Sequence, residues 1–428
     1  MNIIRYPSIS DYSKILARPT SSFEDIEAKV TPILEDVKKS GDAAIRKFNE
    51  KFDGNTNLHI QVSSNELAEA QLKISPALKE AINIAVKNIK TFHLTQKEEV
   101  KVIETMPGVS CWRKSIPIQK VGLYIPGGSA PLFSTVIMLA VPAVIAGCEE
   151  IVLCSPANKN GEISPEILYT ANLLGIKKVF RVGGAQAIAA MAFGTETIPA
   201  TYKIFGPGNQ YVTVAKQLIT KHGIAIDMPA GPSEVMVVAD NTCNPIFVAA
   251  DLLSQAEHGP DSQVVLVTTN EEIIDQISFE IDRQAKVLSR SEITFKALEN
   301  SKIILVKSED DVVNIINEYA PEHLILAVSN PLDIADKVVN AGSVFLGHLT
   351  PESAGDYASG TNHTLPTNGY AKAYSGVSLD SFVKKVTFQQ ISEAGLRNLG
   401  PTVEIMAENE QLGAHKNAVT VRLASLSK

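Results

Sequence analysis

Cysteine is scarce in this chain, and its spacing excludes two classes of small stabilised domain. The 428 residues contain four cysteines, none of them in a CxxC pair. Secreted disulfide scaffolds and cysteine-ligated zinc modules need more cysteines at closer spacing. The N-terminus, MNIIRYPSISDYSK, lacks the apolar core of a secretory signal peptide. We therefore predict a cytoplasmic protein with reduced thiols. The four are Cys111, Cys148, Cys154 and Cys243.

Excess positive charge and long apolar runs are also missing. Lys and Arg total 39 against 47 Asp and Glu, a net charge of −8, and a mildly acidic chain is a poor general binder of phosphate backbones. The uncharged stretch from Val121 to Cys148 is interrupted by prolines and glycines. Its apolar run at 135–146 is too short to cross about 30 Å of hydrocarbon. We expect a buried element there, no nucleic-acid partner and no membrane association.

The composition and the order of apolar segments predict a folded α/β protein. Hydrophobic residues make up 45% of the chain and charged residues 20%, which excludes wholesale disorder. From Val121 onward, segments such as VGLYIPGG, EEIVLCSP and KKVFRVGG are typical of strands, and helical stretches separate them. This alternation predicts βαβ units, parallel sheets and two α/β modules.

Both ends of the chain have helical periodicity. Between residues 23 and 37 apolar side chains recur three and four positions apart, Ser22 with Asp25 predicts the helix start, and Gly41 predicts its end. SPALKEAINIAVKNIKTFH predicts a second helix. From about Tyr374, SLDSFVKKVTFQQIS and PTVEIMAENE predict a small helical tail. Such a tail is too small to bury a core of its own.

The sequence has no GxGxxG dinucleotide-binding motif, but three predicted strands end in glycine-containing turns. They lie at 126–128, 183–184 and 206–208, the last two before predicted helix N-termini. Free backbone N–H groups at such junctions suit a pyrophosphate. Tight turns that bind no ligand explain the same glycines, so both interpretations stay open.

Histidines with polar neighbours are the stronger candidates for chemistry. Gln255 and His258 are three positions apart near a predicted helix end and share one face, and imidazole nitrogen suits zinc. Glutamine is an uncommon zinc ligand, and a structural histidine is the alternative. Asp356 and His363 fall in a predicted polar loop, SAGDYASGTNHTLPT. Binding sites often lie in such loops, and a solvated loop is the alternative.

The segment APEHLIL is the most specific of the candidate elements. Pro321 favours a first helical position, which places Glu322 and His323 in the first turn of a helix. Adjacent helix residues point in different directions, so the two side chains would serve two tasks. A surface glutamate beside a capping histidine is the alternative. Near the C-terminus, ENEQLGAHKNAV contributes Glu410 and His415.

Taken together, these segments resemble the histidinol dehydrogenase family over essentially the whole chain. The segments that carry the resemblance are VGLYIPGG (121–128), VGGAQAIAAMAFGT (182–195), GPGN (206–209), DMPAGPSE (227–234), DLLSQAEHG (251–259), APEHL (320–324), AGDYASGTNH (354–363) and EQLGAHKNAV (410–419). Their length and their order along the chain make the match specific, although no single triplet would justify it.

The resemblance implies a reaction, two cofactors and a partner. It implies oxidation of L-histidinol to L-histidine through L-histidinaldehyde, with two molecules of the co-substrate NAD⁺ reduced. This reaction is the final step of histidine biosynthesis. It implies one Zn²⁺ per active site and a homodimer with shared active sites. The implied zinc ligands are Gln255, His258, Asp356 and His415, and Glu322 and His323 are the implied acid–base pair. The implied substrate contacts are Ser233, His363 and Glu410 together with His323 and the zinc ligands. The implied NAD contacts are Tyr124, Gln186 and Asn209.

The resemblance also implies a domain organisation. The family fold has two incomplete Rossmann-like modules with parallel sheets, plus small helical N- and C-terminal segments. On this chain it implies an N-terminal arm at 1–24 and a C-terminal segment at 374–428 that completes a site across the dimer. The first module combines 25–120 with 234–373 and carries the zinc and catalytic residues. The second module, 121–233, carries the NAD contacts.

Two other functions compete with this interpretation. A zinc hydrolase would use Glu322 to activate water beside a His/Asp/His metal set, although HExxH is absent and hydrolysis leaves the NAD-contact segments unexplained. A non-catalytic, metal-stabilised scaffold is the third possibility. Cys111 and Cys148 suggest a thiohemiacetal route, as in aldehyde dehydrogenases, but their apolar flanks favour inert thiols.

Overall fold

Strands and helices alternate along most of the chain in the computed structural model, which describes residues 1–19, 22–57, 59–127 and 131–426. The strands are β1 (Asn2–Arg5), β2 (Ile103–Met106), β3 (Val109–Pro117), β4 (Lys120–Tyr124), β5 (Glu150–Ser155), β6 (Lys178–Arg181), β7 (Lys203–Phe205), β8 (Ala225–Ile226), β9 (Glu234–Ala239), β10 (Gln263–Thr268), β11 (Lys302–Leu305), β12 (His323–Ala327), β13 (Ser343–Leu346) and β14 (Val383–Ile391). The helices are α1 (Tyr12–Ile15), α2 (Phe23–Phe48), α3 (Ser64–Glu69), α4 (Pro76–Leu94), α5 (Phe133–Ala146), α6 (Pro165–Leu173), α7 (Gly184–Phe193), α8 (Gln210–Ile219), α9 (Pro245–Ala256), α10 (Glu272–Ala285), α11 (Ser291–Glu299), α12 (Glu309–Tyr319), α13 (Pro331–Ala335), α14 (Glu352–Tyr357), α15 (Glu393–Asn409) and α16 (Gly413–Ser425).

The chain divides into two compact units. The first unit comprises Met1–Thr95 and Ile118–Phe382, and the second comprises Gln96–Pro117 and Val383–Lys428. Two parallel sheets lie in the first unit, and an antiparallel sheet of order β14-β3-β2 lies in the second. The predicted α/β class with two parallel sheets is confirmed.

The smaller parallel sheet has five strands in the order β6-β5-β4-β7-β8. All of its pairs are parallel. From β4 the chain adds β5 and then β6 on one side, and it then adds β7 and β8 on the other side of β4. This is the topology of half a doubly wound fold. The strand order therefore reverses between β4 and β7. The predicted glycine turns at 126–128 and 206–208 follow these two strands, although Gly128 lies outside the described residues.

The larger parallel sheet has six strands in the order β1-β11-β10-β9-β12-β13. Its order reverses between β9 and β12, and β1 of the N-terminal arm adds to one edge by pairing with β11. Every residue of β9, β10 and β12 is buried. Continuous apolar runs of this kind are typical of parallel strands covered on both faces.

The long N-terminal helix packs on two helices, α7 and α8, that follow strands of the five-stranded sheet. Ser22 caps α2 by accepting the Asp25 N–H at 3.3 Å, as its sequence indicated. Gly41 does not end the helix but kinks it at φ 51°, because the carboxylate of Glu196 accepts the next N–H at 2.7 Å and helical geometry then continues to Phe48. The predicted module boundaries stay a prediction.

Two segments predicted as helices are strands. Residues 323–327 form β12, because the apolar run LILA lies between β9 and β13 and is buried on both faces. Val383–Ile391 forms β14, which pairs over its whole length with β3 of the second unit. Its β-branched and aromatic residues suit a strand once that partner is available. The C-terminal segment is therefore partly strand rather than wholly helical.

The apolar run after the first glycine turn is a buried helix, as predicted. Ten of the fourteen residues of α5 are buried, and Gly147 ends the helix at φ 87°. Among the described residues no helix is long and apolar enough to cross a membrane.

Candidate active site

A cavity of about 300 Å³ lies where the carboxyl edge of the five-stranded sheet meets the amino edge of the six-stranded sheet. The first edge contributes Pro126 and the turn 207–209, which follow β4 and β7. The second edge contributes Ser233 before β9 and the pair Glu322 and His323 at the start of β12. Further lining residues come from the end of α9 and the turn after it, and from α14 and the loop after it. They include Gln255, His258, Asp356 and His363.

Glu322 and His323 both contact the backbone of one residue, Glu234, at the start of the neighbouring strand β9. The Glu234 N–H donates to Glu322 Oε2 at 2.9 Å, and the Glu234 carbonyl lies 3.3 Å from His323 Nδ1. A carbonyl only accepts hydrogen bonds, so Nδ1 carries a proton and Nε2 is the free end of the ring. Both side chains are buried. The two side chains therefore make different hydrogen bonds at the start of β12, where the sequence predicted a helix, and their separate roles stay a prediction.

Two carboxylates on α14 face the free end of His323. Asp356 Oδ1 is 3.2 Å from His323 Nε2, yet both atoms are buried without a hydrogen-bond partner. Glu352 lies one helical turn earlier and is buried. Ligand atoms of Glu352, Asp356 and His323 all lie within 4.8 Å of one another. The sequence reasoning placed Asp356 in a loop and missed Glu352, whose signal was its i,i+4 spacing from Asp356.

Burial and charge shift the pKa values of this cluster in opposite directions. Burial raises the pKa of Glu322 to about 8 and that of Glu352 well above its usual range. Burial also lowers the pKa of His323, but the carboxylates of Glu352, Glu322 and Asp356 outweigh it and raise that pKa. Burial raises the pKa of Asp356, but His323 and two further imidazoles outweigh it and hold that pKa low. Shifted groups in a cavity are typical of a catalytic site.

Gln255 and His258 lie at the end of α9, as predicted. Gln255 is in its last turn and buried, whereas His258 lies two residues beyond the helix and keeps an exposed edge. In the amide orientation that satisfies both atoms, Gln255 donates to Glu352 and accepts from the Glu234 N–H at 3.0 Å. Desolvation lowers the pKa of His258. A neutral imidazole is the form that binds a metal.

His363 joins the loop after α14 to helix α5. Its Nδ1 donates to the Asp356 carbonyl at 2.8 Å, and its Nε2 lies 3.1 Å from the Thr135 hydroxyl. Burial lowers the pKa of His363, which favours its neutral form. Ser233 lines the same cavity. Thr135 is a site residue that the sequence reasoning missed, because it lies in an apolar helix with no polar pattern around it.

The donor atoms around this cavity fit a zinc ion. His258 offers a neutral imidazole, Gln255 an amide, and Asp356 a carboxylate whose Oδ1 is buried without a hydrogen-bond partner. Imidazole nitrogen and carboxylate oxygen are common zinc ligands, whereas an amide oxygen is an uncommon one. The cavity therefore offers three of the four implied ligands.

The implied NAD contacts lie around the carboxyl edge of the five-stranded sheet. Tyr124 ends β4 and accepts the Gly184 N–H at 3.2 Å, and Gln186 lies in the first turn of α7. Gln186 Nε2 is buried without a hydrogen-bond partner. Asn209 caps α8 by accepting the N–H groups of Tyr211 and Val212, and it lines the cavity.

The remaining implied site residues and the cysteines lie elsewhere. Glu410 follows α15 and His415 lies in the first turn of α16, both exposed in the second unit. All four thiols are free. Burial raises the pKa of Cys148 to about 12, which keeps that thiol from acting as a nucleophile near neutral pH.

Comparisons with known proteins show the family of this chain. A family model described as histidinol dehydrogenase matches residues 16–423. The histidinol dehydrogenase of Bacteroides thetaiotaomicron is 59% identical over 426 residues and covers 100% of both chains. That of Escherichia coli O157:H7 is 52% identical over 97% of this chain and 95% of its own. The crystal structure of histidinol dehydrogenase from Elizabethkingia anophelis superposes with a TM-score of 0.97 at 54% identity, over 100% of this chain and 99% of that one. The chain therefore belongs to the histidinol dehydrogenase family of oxidoreductases.

Proposed function

We propose that the chain oxidises L-histidinol to L-histidine in two steps at this cavity, with L-histidinaldehyde as intermediate and two NAD⁺ consumed. The observation that carries the proposal is the position of His323, between Glu322 and Asp356 in one cavity that Gln255, His258 and His363 also line. Family membership favours this reaction over the hydrolase alternative. Such a biosynthetic role belongs in the cytoplasm.

His323 is the base of the first oxidation. As hydride leaves the alcohol carbon, the hydroxyl proton must leave too, and His323 Nε2, which lies 3.2 Å from Asp356 Oδ1, is the ring nitrogen that would take it. The Glu234 carbonyl holds the proton on Nδ1 and thereby keeps Nε2 available. The carboxylates that raise the pKa of His323 stabilise the imidazolium that results, so the neutral ring that accepts the proton becomes more abundant as the pH rises. The same ring serves the second oxidation.

Glu322 activates the water that hydrates the aldehyde. Water adds to the carbonyl carbon, and Glu322 takes its proton, so that the hydrate can lose a second hydride and become the carboxylic acid. A base works best when its pKa lies near the working pH, and burial raises the pKa of Glu322 to about 8. The surrounding protein keeps the reactive aldehyde away from bulk solvent.

The remaining side chains bind the two substrates and the metal. Gln255, His258 and Asp356 would hold one Zn²⁺, with His415 supplied across a homodimer. When bound, that ion supplies a template for the imidazole and amine of the substrate, and NAD⁺ accepts the hydrides. Ser233, His363 and Glu410 would contact the substrate as well. Tyr124, Gln186 and Asn209 would contact NAD⁺.

Counting NADH per histidinol tests the proposal. Purified protein supplied with Zn²⁺, NAD⁺ and limiting histidinol should form two NADH for each histidinol consumed, measured by absorbance with histidine quantified in parallel. Chelation should abolish turnover and lower the thermal unfolding midpoint, because a ligand bound only by the folded state stabilises it. Gln255→Ala should bind zinc more weakly in a chelator competition. Consumption of histidinol without NADH would overturn the proposal.

A further inference from the structure

An arginine of the N-terminal arm binds the buried side chain of Glu234. The Arg18 guanidinium makes two contacts with that carboxylate, from Nε and from Nη2, the second at 2.8 Å. The Glu234 side chain is 2% exposed and that of Arg18 14% exposed. A bidentate guanidinium–carboxylate pair fixes orientation as well as charge. The arm is therefore tied to the first residue of β9.

The same guanidinium binds the end of α12. Arg18 Nη2 donates to the Tyr319 carbonyl at 2.6 Å, and the guanidinium lies 3.9 Å from the centre of the Tyr319 ring. After Tyr319, Ala320 takes the left-handed φ of 52°, and the chain turns directly into Glu322 and His323. One side chain of the arm thus connects the two backbone segments that meet at the acid–base pair.

The backbone of Glu234 is the group that orients that pair. Its N–H donates to Glu322 and its carbonyl accepts from His323, so a rotation of this residue would displace both side chains together. Without Arg18 the buried Glu234 carboxylate would lose its ion-pair partner and keep weaker contacts such as the Tyr319 hydroxyl at 3.5 Å, and it would relax toward water. That relaxation would rotate the backbone of Glu234, and with it the two peptide groups that supply the N–H to Glu322 and the carbonyl to His323.

We infer that Arg18 is a positioning residue for the reaction proposed above, acting through Glu234 and the end of α12 on Glu322 and His323. The inference rests on the proposed function for its kinetic part only. Its structural part, the orientation of the His323 ring by a residue of the arm, is measurable without substrate.

Three variants separate positioning from folding. Arg18→Ala removes the contacts with Glu234 and Tyr319, and Arg18→Lys keeps the positive charge without the bidentate guanidinium. Arg5→Ala is the control, because it removes an exposed ion pair between the same arm and Glu271. Because displacements of about 1 Å cost roughly 100-fold in rate, kcat should fall about 100-fold in Arg18→Ala and roughly 10-fold in Arg18→Lys. The KM for histidinol should change less than about threefold. Arg5→Ala should stay within about twofold of the parent chain.

Two readouts distinguish this role from a merely structural one. Millimolar guanidinium should restore part of the kcat of Arg18→Ala while leaving that of Arg18→Lys unchanged. In ¹⁵N-histidine spectra the Nδ1–H signal of His323, assigned with His323→Asn, should shift in Arg18→Ala and stay in place in Arg5→Ala.

Two results would overturn the inference. One is an unshifted His323 signal in Arg18→Ala. The other is a loss of activity that follows the folded fraction in thermal unfolding and does not respond to guanidinium. An inactive parent chain whose His323 signal still depends on Arg18 would overturn the proposed function alone.

Discussion

Single residues at this site take their chemistry from neighbours that are distant in sequence. Glu322 is a candidate base because burial raises its pKa. His323 is a candidate base at Nε2, because the Glu234 carbonyl holds the proton of the neutral ring on Nδ1. The two side chains receive different hydrogen bonds from the same residue. Their separate roles therefore predict separate kinetic phenotypes.

Replacing Glu322 and replacing His323 should affect the two oxidation steps differently. Glu322→Gln should slow oxidation of supplied histidinaldehyde about 100-fold more than oxidation of histidinol, because only the aldehyde needs an activated water. His323→Asn should slow both steps, since each needs a proton acceptor. Single-turnover NADH formation from each substrate measures the two effects. Equal losses in both steps for Glu322→Gln would contradict this division.

A second residue-scale prediction concerns stability and pH. Burial raises the pKa of Asp53 from 3.8 to about 6, so the folded state holds this proton more tightly than the unfolded state does. Stability is therefore lost as the pH rises through that range. Asp53→Asn should raise the thermal midpoint near about pH 8 and leave it unchanged near about pH 3, below both pKa values. Asp282→Asn, on an exposed position of α10, is the control. An equal effect of Asp53→Asn at both pH values would contradict the burial argument.

At the scale of elements, the turns that follow β4 and β7 shape one side of the cavity. Gly206 takes φ 127°, its N–H donates to Asp227 at 2.8 Å, and its carbonyl accepts from Lys216 at 2.8 Å. Lys216 and Asp227 also form a buried ion pair. A side chain at Gly206 would overlap the Tyr124 carbonyl oxygen. This turn therefore needs glycine for its backbone angle and for the space beside it.

Two alanine substitutions separate the angle from the space. Gly175 has φ 77°, and no atom lies within 4 Å of the position that a β-carbon would occupy. Gly175→Ala should therefore lower the free energy of unfolding only by the strain of a left-handed alanine, about 1–2 kcal/mol. Gly206→Ala adds a backbone overlap that no side-chain rotation relieves, and it should cost more. Urea unfolding at one temperature measures both losses. Equal losses would contradict the role of the overlap. Gly206→Ala should also raise the KM for NAD⁺, because Asn209 follows the same turn.

At the scale of the whole molecule, the implied ligand set is divided between the two units. Gln255, His258 and Asp356 line the cavity of the first unit, whereas Glu410 and His415 are exposed in the second. We expect a homodimer in which His415 of one subunit serves the site of the other. Symmetric dimers allow such an exchange because the same surface occurs twice.

Mixing two inactive variants tests the shared site. In a heterodimer of Gln255→Ala and His415→Ala, one site would carry both defects and the other neither, if the sites are shared. Random exchange of subunits should then restore about a quarter of the parent activity. Each variant alone, taken through the same exchange, is the control. Verified heterodimers without activity would show that each site is built from one chain.

Local patterns in the sequence predicted much of the secondary structure of the five-stranded parallel sheet. Helical periodicity and the Ser22 cap predicted α2, and apolar runs separated by turns and helices predicted four of the five strands, β4 to β7. These signals succeed because hydrogen bonds of helices and burial of short strands are specified by neighbouring residues. Six candidate side chains, which the structure brings to one cavity, were also readable from motifs. They are Gln255, His258, Glu322, His323, Asp356 and His363.

The place where those side chains meet, and the groups that orient them, depend on the packing of the two parallel sheets. The run at 323–327 becomes a strand because β9 and β13 flank it, and β14 forms because β3 lies beside it. The site uses the amino edge of the larger sheet, although ligands of doubly wound sheets usually lie at the carboxyl edge. Pairing partners, burial of carboxylates and the reach of Arg18 to Glu234 depend on residues hundreds of positions apart. Short-range periodicity carries no record of such contacts, because they arise only when the sheets pack.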